Sequence, residues 1–252
     1  MKIESLFVSD VHLGWGDSKT KKFLTLINEV ECKNIFIVGD FIDGWVIEKK
    51  RKWIDDNNAI IQKLLSLSRK GTKIYYMWGN HDDFLSKSNK LEFGENIKIC
   101  RTKIYKALNG KKYLLIHGDQ FDGFLRLKCF LPVQKFGSFL YERLSWFNEK
   151  INKMADRLGL REKYVPIFLK PKPYLSDFPE MAVQEADRQK CEGVICGHLH
   201  APSHVFLEKI EYLNCGDWLK SCTYITETIE GEFKLKKFEW ENPKVSVDSY
   251  SP

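Results

Sequence analysis

Nowhere in the 252 residues do apolar side chains run together for the roughly 18 positions that a bilayer-spanning helix needs, which excludes a helical channel or carrier. The first ten residues contain Lys2, Glu4 and Asp10 and no unbroken apolar run, so they are not read as a secretory signal, and a cytoplasmic location is expected. Signals for cysteine pairing are also missing. The seven cysteines (Cys32, Cys100, Cys129, Cys191, Cys196, Cys215 and Cys222) are odd in number, and no two have Cys-x-x-Cys spacing. They read as reduced, mostly buried thiols rather than a disulfide framework or a thiolate metal site. Internal repeats and low-complexity tracts are absent. Histidine is scarce, with six in the whole chain, so the position of each one carries information.

The remaining composition, 43% hydrophobic and 29% charged, is that of a globular domain long enough to bury a core without staples. The net charge of +6 is unevenly spread. Between Gly123 and Leu175 eleven Lys and Arg face four acids, an excess larger than that of the whole chain. The basic character therefore belongs to one segment.

Short β-rich runs alternate with helical stretches through the first third. Residues Ile3 to Val8, Asn34 to Val38 and Lys73 to Trp78 read as strands, and Lys19 to Glu31 and Asp55 to Arg69 as helices. That order implies a parallel sheet with right-handed crossovers. Lys103 to Leu108 and Lys111 to Ile116 flank Asn109-Gly110, a hairpin signal. Gly193 to Cys196 is a further strand. His204 to Leu207, Ile210 to Leu213, Thr223 to Thr228 and Phe233 to Phe238 are expected to close the fold as an antiparallel meander. The expected class is α/β, with two sheets flanked by helices. Residues 1–122 and 188–240 form the main domain, 123–187 a helical insertion, and 241–252 a flexible tail. Within the insertion Phe136, Phe139, Leu140, Leu144, Phe147, Ile151, Met154 and Leu158 fall at spacings of three and four. That is an apolar face over about 34 Å of helix.

Five of the six histidines stand in polar clusters that follow strands: Asp10-Val11-His12, Gly79-Asn80-His81-Asp82, His117-Gly118-Asp119 and Gly197-His198-Leu199-His200. A fifth cluster, Gly39-Asp40 with Asp43 behind it, has the same placement. Ligands at the carboxyl ends of neighbouring strands converge on one crevice. Any one of these clusters alone is ordinary turn chemistry. Five in order point to a metal site, and the mixture of carboxylate and imidazole suits zinc, manganese or iron better than calcium or magnesium alone. His81 cannot easily reach the metal of its neighbour Asn80, so it is expected to face substrate, stabilising the pentacoordinate state or protonating the leaving oxygen. Asp43 and Asp82 are expected to orient ligand imidazoles, with helix capping as the competing reading. His204 is expected at the surface.

The blocks Ser-Asp-Val-His-Leu, Gly-Asp-Phe-Ile-Asp, Gly-Asn-His-Asp, His-Gly-Asp and Gly-His-Leu-His resemble the calcineurin-like metallophosphoesterase superfamily. The resemblance implies a two-sheet β-sandwich flanked by helices and a pair of divalent ions. Asp10, His12, Asp40 and His200 would hold one ion, and Asn80, His117, His198 and the shared Asp40 the other. Asp40 and His81 then become the catalytic side chains. Further stretches, Asp40-Phe41-Ile42-Asp43-Gly44-Trp45, His117-Gly118-Asp119-Gln120-Phe121-Asp122 and Asn214-Cys215-Gly216-Asp217-Trp218, are similar to the UDP-2,3-diacylglucosamine diphosphatases of lipid A synthesis, especially their divergent second group. That implies manganese (iron or zinc being the alternatives), a nucleotide-linked lipid substrate, and an insertion acting as a lid for acyl chains. Phe136, Phe139, Leu140, Arg143, Phe147 and Arg157 are the lid candidates. The basic insertion is also the candidate for peripheral contact with the cytoplasmic face of a membrane, and no nucleic-acid partner is expected. The better-known group has Arg where this chain has His81. A soluble phosphodiesterase or Ser/Thr protein phosphatase of the same superfamily is the alternative reading.

Overall fold

A computed structural model describes residues 1–16, 18–50, 53, 55–88, 92–122 and 173–239. The chain divides into two compact units, residues 1–119 with 182–252, and residues 120–181. The lid candidates Phe136, Phe139, Leu140, Arg143, Phe147 and Arg157 lie outside the described residues, as do the rest of 123–172, Cys129 and the tail 241–252. In the second unit Phe121 meets Phe178 edge to face at 5.5 Å.

In the first unit β1 (Lys2–Val8), β2 (Glu31–Val38), β3 (Lys73–Met77) and β5 (Ile97–Cys100) run parallel, and β4 (Glu92–Phe93) and β11 (Thr223–Glu227) pair antiparallel with β5 and β1. With β12 (Phe233–Lys237) they form a seven-stranded sheet of order β12-β11-β1-β2-β3-β5-β4. The second sheet has order β6-β7-β8-β10-β9, from β6 (Thr102–Lys106), β7 (Lys112–Ile116), β8 (Gly193–Cys196), β9 (Ser203–Leu207) and β10 (Ile210–Asn214).

The continuous apolar runs of the central strands have a physical reason: both faces are buried. Leu6, Val8, Ile35, Ile37 and Ile74 share a cluster with Phe23, Leu26 and Ile27 of α1 (Thr20–Glu29) and with Ile60 and Leu64 of α3 (Asp55–Arg69). The alternating residues Phe7, Phe36, Val38 and Met77 pack with Tyr113, Leu115, Ile195 and Leu213 of the second sheet. Phe7, Phe36 and Tyr75 are register partners and stack at 4.8 and 5.1 Å. Each such ring, once buried, contributes about 1.5–3 kcal/mol.

Some expectations need correction. The helix expected to reach Glu31 ends at Glu29, because Glu31 already opens β2, its amide bonding the Met1 carbonyl. The hairpin around Asn109-Gly110 has a five-residue loop, since the ladder ends at Lys106 opposite Lys112. The final four strands are not one meander. β9 and β10 join the second sheet, where β10 runs parallel to β8, while β11 and β12 extend the first. Residues Cys215 to Cys222 carry the chain across, turning where Asp217 Oδ1 accepts the amides of Leu219 and Lys220. β4, β5 and the short α2 (Gly44–Lys50) have no counterpart in the expected elements. The helix near the end of the insertion is α4 (Pro173–Arg188). All six described cysteines are free, four of them buried.

Candidate metal centre

The loops after β1, β2 and β3 of one sheet and after β7 and β8 of the other carry all five clusters. Hydrogen bonds lace them together. Asp10 N donates to the Gly39 carbonyl (3.1 Å), His12 N to the Asp40 carbonyl (2.9 Å), and Gly197 N to the His117 carbonyl (3.1 Å). Side chains add links: His81 N donates to Asp40 Oδ1 (2.9 Å) and His198 N to Asp10 Oδ2 (3.0 Å). Glycine is required where backbone meets ring. A Cβ on Gly39 would stand 2.2 Å from His117 Nδ1, and one on Gly79 2.3 Å from Asp40 Oδ1. Eight non-glycine residues in the described chain have positive φ, and five of them are expected ligands: Asp10, His12, Asp40, His198 and His200. Such backbone costs about 1–3 kcal/mol per residue and concentrates at functional sites.

Three groups adjoin, one of His12, Asp43 and His81 and two made of expected ligands alone. Asp10, His12 and His200 form one, with His200 Nε2 3.1 Å and His12 Nε2 3.8 Å from Asp10 Oδ1. Asp40, His117 and His198 form the other, with His117 Nε2 3.2 Å from Asp40 Oδ2. Asp40 Oδ2 lies between them, 4.0 Å from Nε2 of both His12 and His81. His117 Nδ1 faces the Val38 carbonyl at 2.9 Å, an acceptor only, so Nδ1 carries the hydrogen and Nε2 offers a lone pair.

Whether these residues suit divalent ions can be judged from their unsatisfied atoms. Eight buried side-chain polar atoms among the described residues lack a hydrogen-bond partner. Four of them belong to the expected ligands: Asp10 Oδ1, His12 Nε2, Asn80 Oδ1 and His117 Nε2. Each such atom costs about 1–3 kcal/mol when left unpaired. Asp10 Oδ1, His12 Nε2 and His117 Nε2 stand inside the two groups of expected ligands above, and oxygen and imidazole lone pairs gathered in this way fit a cation. The electrostatics agree. Burial opposes ionisation of Asp10 and Asp40, yet the facing imidazoles of His200, His12 and His117 hold both carboxyls well below the usual range. Burial likewise opposes charge on His12, but Asp10, Asp43 and Asp40 push it up to about 10. A site that favours positive charge this strongly on imidazole favours it on metal, with the ligand protons released on binding.

Asp43 faces two imidazoles with one oxygen and a helix start with the other. Its buried Oδ2 accepts from His12 Nδ1 (3.1 Å) and His81 Nδ1 (3.0 Å), while Oδ1 accepts the Val46 amide (2.9 Å) in the first turn of α2. The ring of His81 is further held by Trp45, whose indole lies 4.1 Å away. Asp82 departs from expectation. It bonds no imidazole and caps no helix through its side chain; Oδ2 accepts from Phe41 N (2.9 Å) and Tyr76 OH (2.5 Å), and Oδ1 from Gly79 N. Facing two backbone amides and the Tyr76 hydroxyl rather than imidazoles, it ties the Asp40 loop to the Asn80 loop. Burial, with Asp40 nearby, raises its carboxyl to about 6. His204 is half-exposed on β9 and pairs with Glu211 at 2.7 Å. Trp45, over His81, lies in one of the sequence motifs without a role expected of it, and Arg101, bonded to Trp78 and Asp119, lies in none.

A family model described as calcineurin-like phosphoesterase matches residues 4–202, most of the chain. The chain belongs to that family. It is accordingly a metal-dependent phosphoester hydrolase, and the family implies divalent ions for which the donor set above is suited. The UDP-2,3-diacylglucosamine hydrolase of Pseudomonas syringae pv. tomato is 30% identical over 96% of this chain and 98% of its own length. Its namesake in Aliivibrio fischeri is 26% identical over 94% and 99%. A hypothetical protein of Pyrococcus horikoshii shares the fold, with a TM-score of 0.50 at 10% identity over 96% of this chain and 90% of that one. Among the described residues no helix is long and apolar enough to cross a membrane.

Proposed function

We propose that this phosphoesterase cleaves the pyrophosphate of UDP-2,3-diacylglucosamine, giving UMP and 2,3-diacylglucosamine 1-phosphate. The observation carrying this reading is the near full-length similarity to hydrolases named for that substrate. Asp10, His12, Asp40 and His200 would hold one ion, and Asn80, His117, His198 and Asp40 a second. When bound, the ions, manganese in this proposal, would lower the pKa of water towards neutrality and neutralise phosphate oxygens. The chain's own side chains do the rest. Asn80 offers a neutral amide oxygen, so it does not repel an incoming phosphate. His81 presents Nε2 beside Asp40 with its ring fixed by Asp43 and Trp45. From there it donates a proton to the oxygen that leaves as a P–O bond breaks and water adds to phosphorus. Two sequence features support lipid recognition and peripheral membrane contact by the segment 123–187: its apolar helical face and its eleven basic residues.

The test is incubation of manganese-loaded protein with UDP-2,3-diacylglucosamine and with a small chromogenic phosphodiester. UMP and the lipid 1-phosphate are the expected products of the first. Release of UDP overturns cleavage at the pyrophosphate, and turnover of the chromogenic ester alone overturns the substrate.

A further inference from the structure

Between β5 and β6 the chain passes from one sheet to the other through one residue. β5 ends at Cys100 in the seven-stranded sheet, β6 begins at Thr102 in the five-stranded one, and Arg101 stands between them. Its side chain is only 25% exposed and makes two charge-assisted contacts. Nη1 donates to the Trp78 carbonyl at 2.7 Å, and Nη2 donates to Asp119 Oδ1 at 2.7 Å. The guanidinium also lies over the Trp78 indole, 4.2 Å from its centroid. Trp78 leads into Gly79-Asn80 at the end of β3, in the first sheet. Asp119 closes the His117-Gly118-Asp119 cluster at the end of β7, in the second. One planar cation therefore ties a ligand loop of each sheet to the other. The loops of Asp10, His12 and Asp40 are joined differently, by backbone bonds from Asp10 N to Gly39 O and from His12 N to Asp40 O.

We propose that Arg101 is a positioning residue that fixes the spacing of Asn80 and His117, and so sets the affinity of one ion of the pair. That ion is the one held by Asp40, Asn80, His117 and His198. The proposal rests on the metal assignment under Proposed function. Without the guanidinium, the Trp78 carbonyl and the Asp119 carboxylate lose the cation between them, and the direct side-chain tie between the two loops is gone, leaving Asn80 and His117 coupled through the Asp40 loop. A lysine cannot replace it fully, because one ammonium lacks the fork that reaches both acceptors in a plane.

The experiment titrates manganese into the metal-free wild type and the variants Arg101→Ala, Arg101→Lys and Asp119→Asn. It follows affinity by calorimetry and the spin-coupled spectrum of the ion pair by electron paramagnetic resonance. The wild type should bind two ions as a coupled pair. Arg101→Ala should keep one at parent affinity and bind the other about 10–100-fold more weakly, leaving a mononuclear spectrum at limiting metal. Asp119→Asn should reproduce that selective loss, Arg101→Lys should fall between, and the combined Ala and Asn variant should be no worse than either single one. Unchanged affinity for both ions overturns the proposal. So does equal weakening of both together with a lower unfolding temperature of the metal-free protein, which marks general destabilisation. Intact metal binding with a raised KM alone would make Arg101 a substrate contact, and also overturns it. A wild type that takes up no ions refutes the metal assignment, and the proposal falls with it.

Discussion

Asp43 offers the sharpest separation of site chemistry from scaffold, because its two oxygens serve different ends. Oδ2 receives the Nδ1 hydrogens of His12 and His81 at 3.1 and 3.0 Å, and Oδ1 receives the Val46 amide at 2.9 Å. In Asp43→Asn the cap oxygen survives, but an NH2 group confronts two N–H donors. Either both bonds are lost, or the imidazoles take the other tautomer and turn Nε2–H, not a lone pair, towards the metal. Losing an orienting partner of this kind costs about 10–100-fold in metal affinity, or about 1.4–2.7 kcal/mol. The loss should fall on the ion proposed for Asp10, His12, Asp40 and His200, with a parallel fall in kcat because His81 is freed. Asp43→Ala should add about 1 kcal/mol of destabilisation to the metal-free protein, the worth of a lost N-cap. Metal titration, steady-state kinetics and urea unfolding of the metal-free variants measure the three effects. Parent metal affinity and parent turnover in Asp43→Asn would refute the orienting role and leave Asp43 as a helix cap.

His81→Ala should lower kcat by about 10²–10⁴ while two ions remain bound, and undiminished turnover would discard it as proton donor. Gly39→Ala places a Cβ 2.2 Å from the His117 ring at a backbone φ of +86°, so weaker metal binding and a lower unfolding temperature are both expected; a variant with wild-type values of both would contradict the packing. The raised imidazole of His12 gives the metal-free protein a pH dependence of definite sign. A folded-state pKa of about 10 against the ordinary 6.5 contributes stability that is complete below pH 6.5 and lost as pH rises through about 10. Urea titrations across that window should show the decline, and a flat profile would count against the carboxylate field. Deleting residues 124–174 should spare hydrolysis of a small chromogenic phosphodiester and abolish activity on the diacylated nucleotide sugar; equal loss on both would assign the segment to the core.

The metal loops are legible from sequence because their chemistry restricts residue type. Carboxylate, amide and imidazole have to appear at strand ends, and glycine has to appear where His117 leaves no room for a Cβ. The central strands are legible too, since Leu6 and Val8 face helices while Phe7 faces the second sheet, and the runs Leu6–Val8 and Ile35–Val38 are apolar throughout. Partner choice is different. The runs Ile210–Asn214 and Thr223–Glu227 are both buried along their whole length, yet one runs parallel to β8 and the other antiparallel to β1. The pattern specifies extended backbone with both faces buried, and either sheet satisfies it. Asp82 misleads for a related reason: adjacency to His81 suggests an imidazole partner, whereas the return of Phe41, 41 residues away, provides a backbone amide instead. Arg101 is the extreme case, because its acceptors lie 23 and 18 residues away and one of them is a main-chain carbonyl. Every residue owns such a carbonyl, so no motif marks it. Side chains that touch a metal or a phosphate are constrained in kind, whereas those that hold loops apart are constrained only in reach. The second group emerges when buried backbone acceptors beside the ligands are traced to their donors.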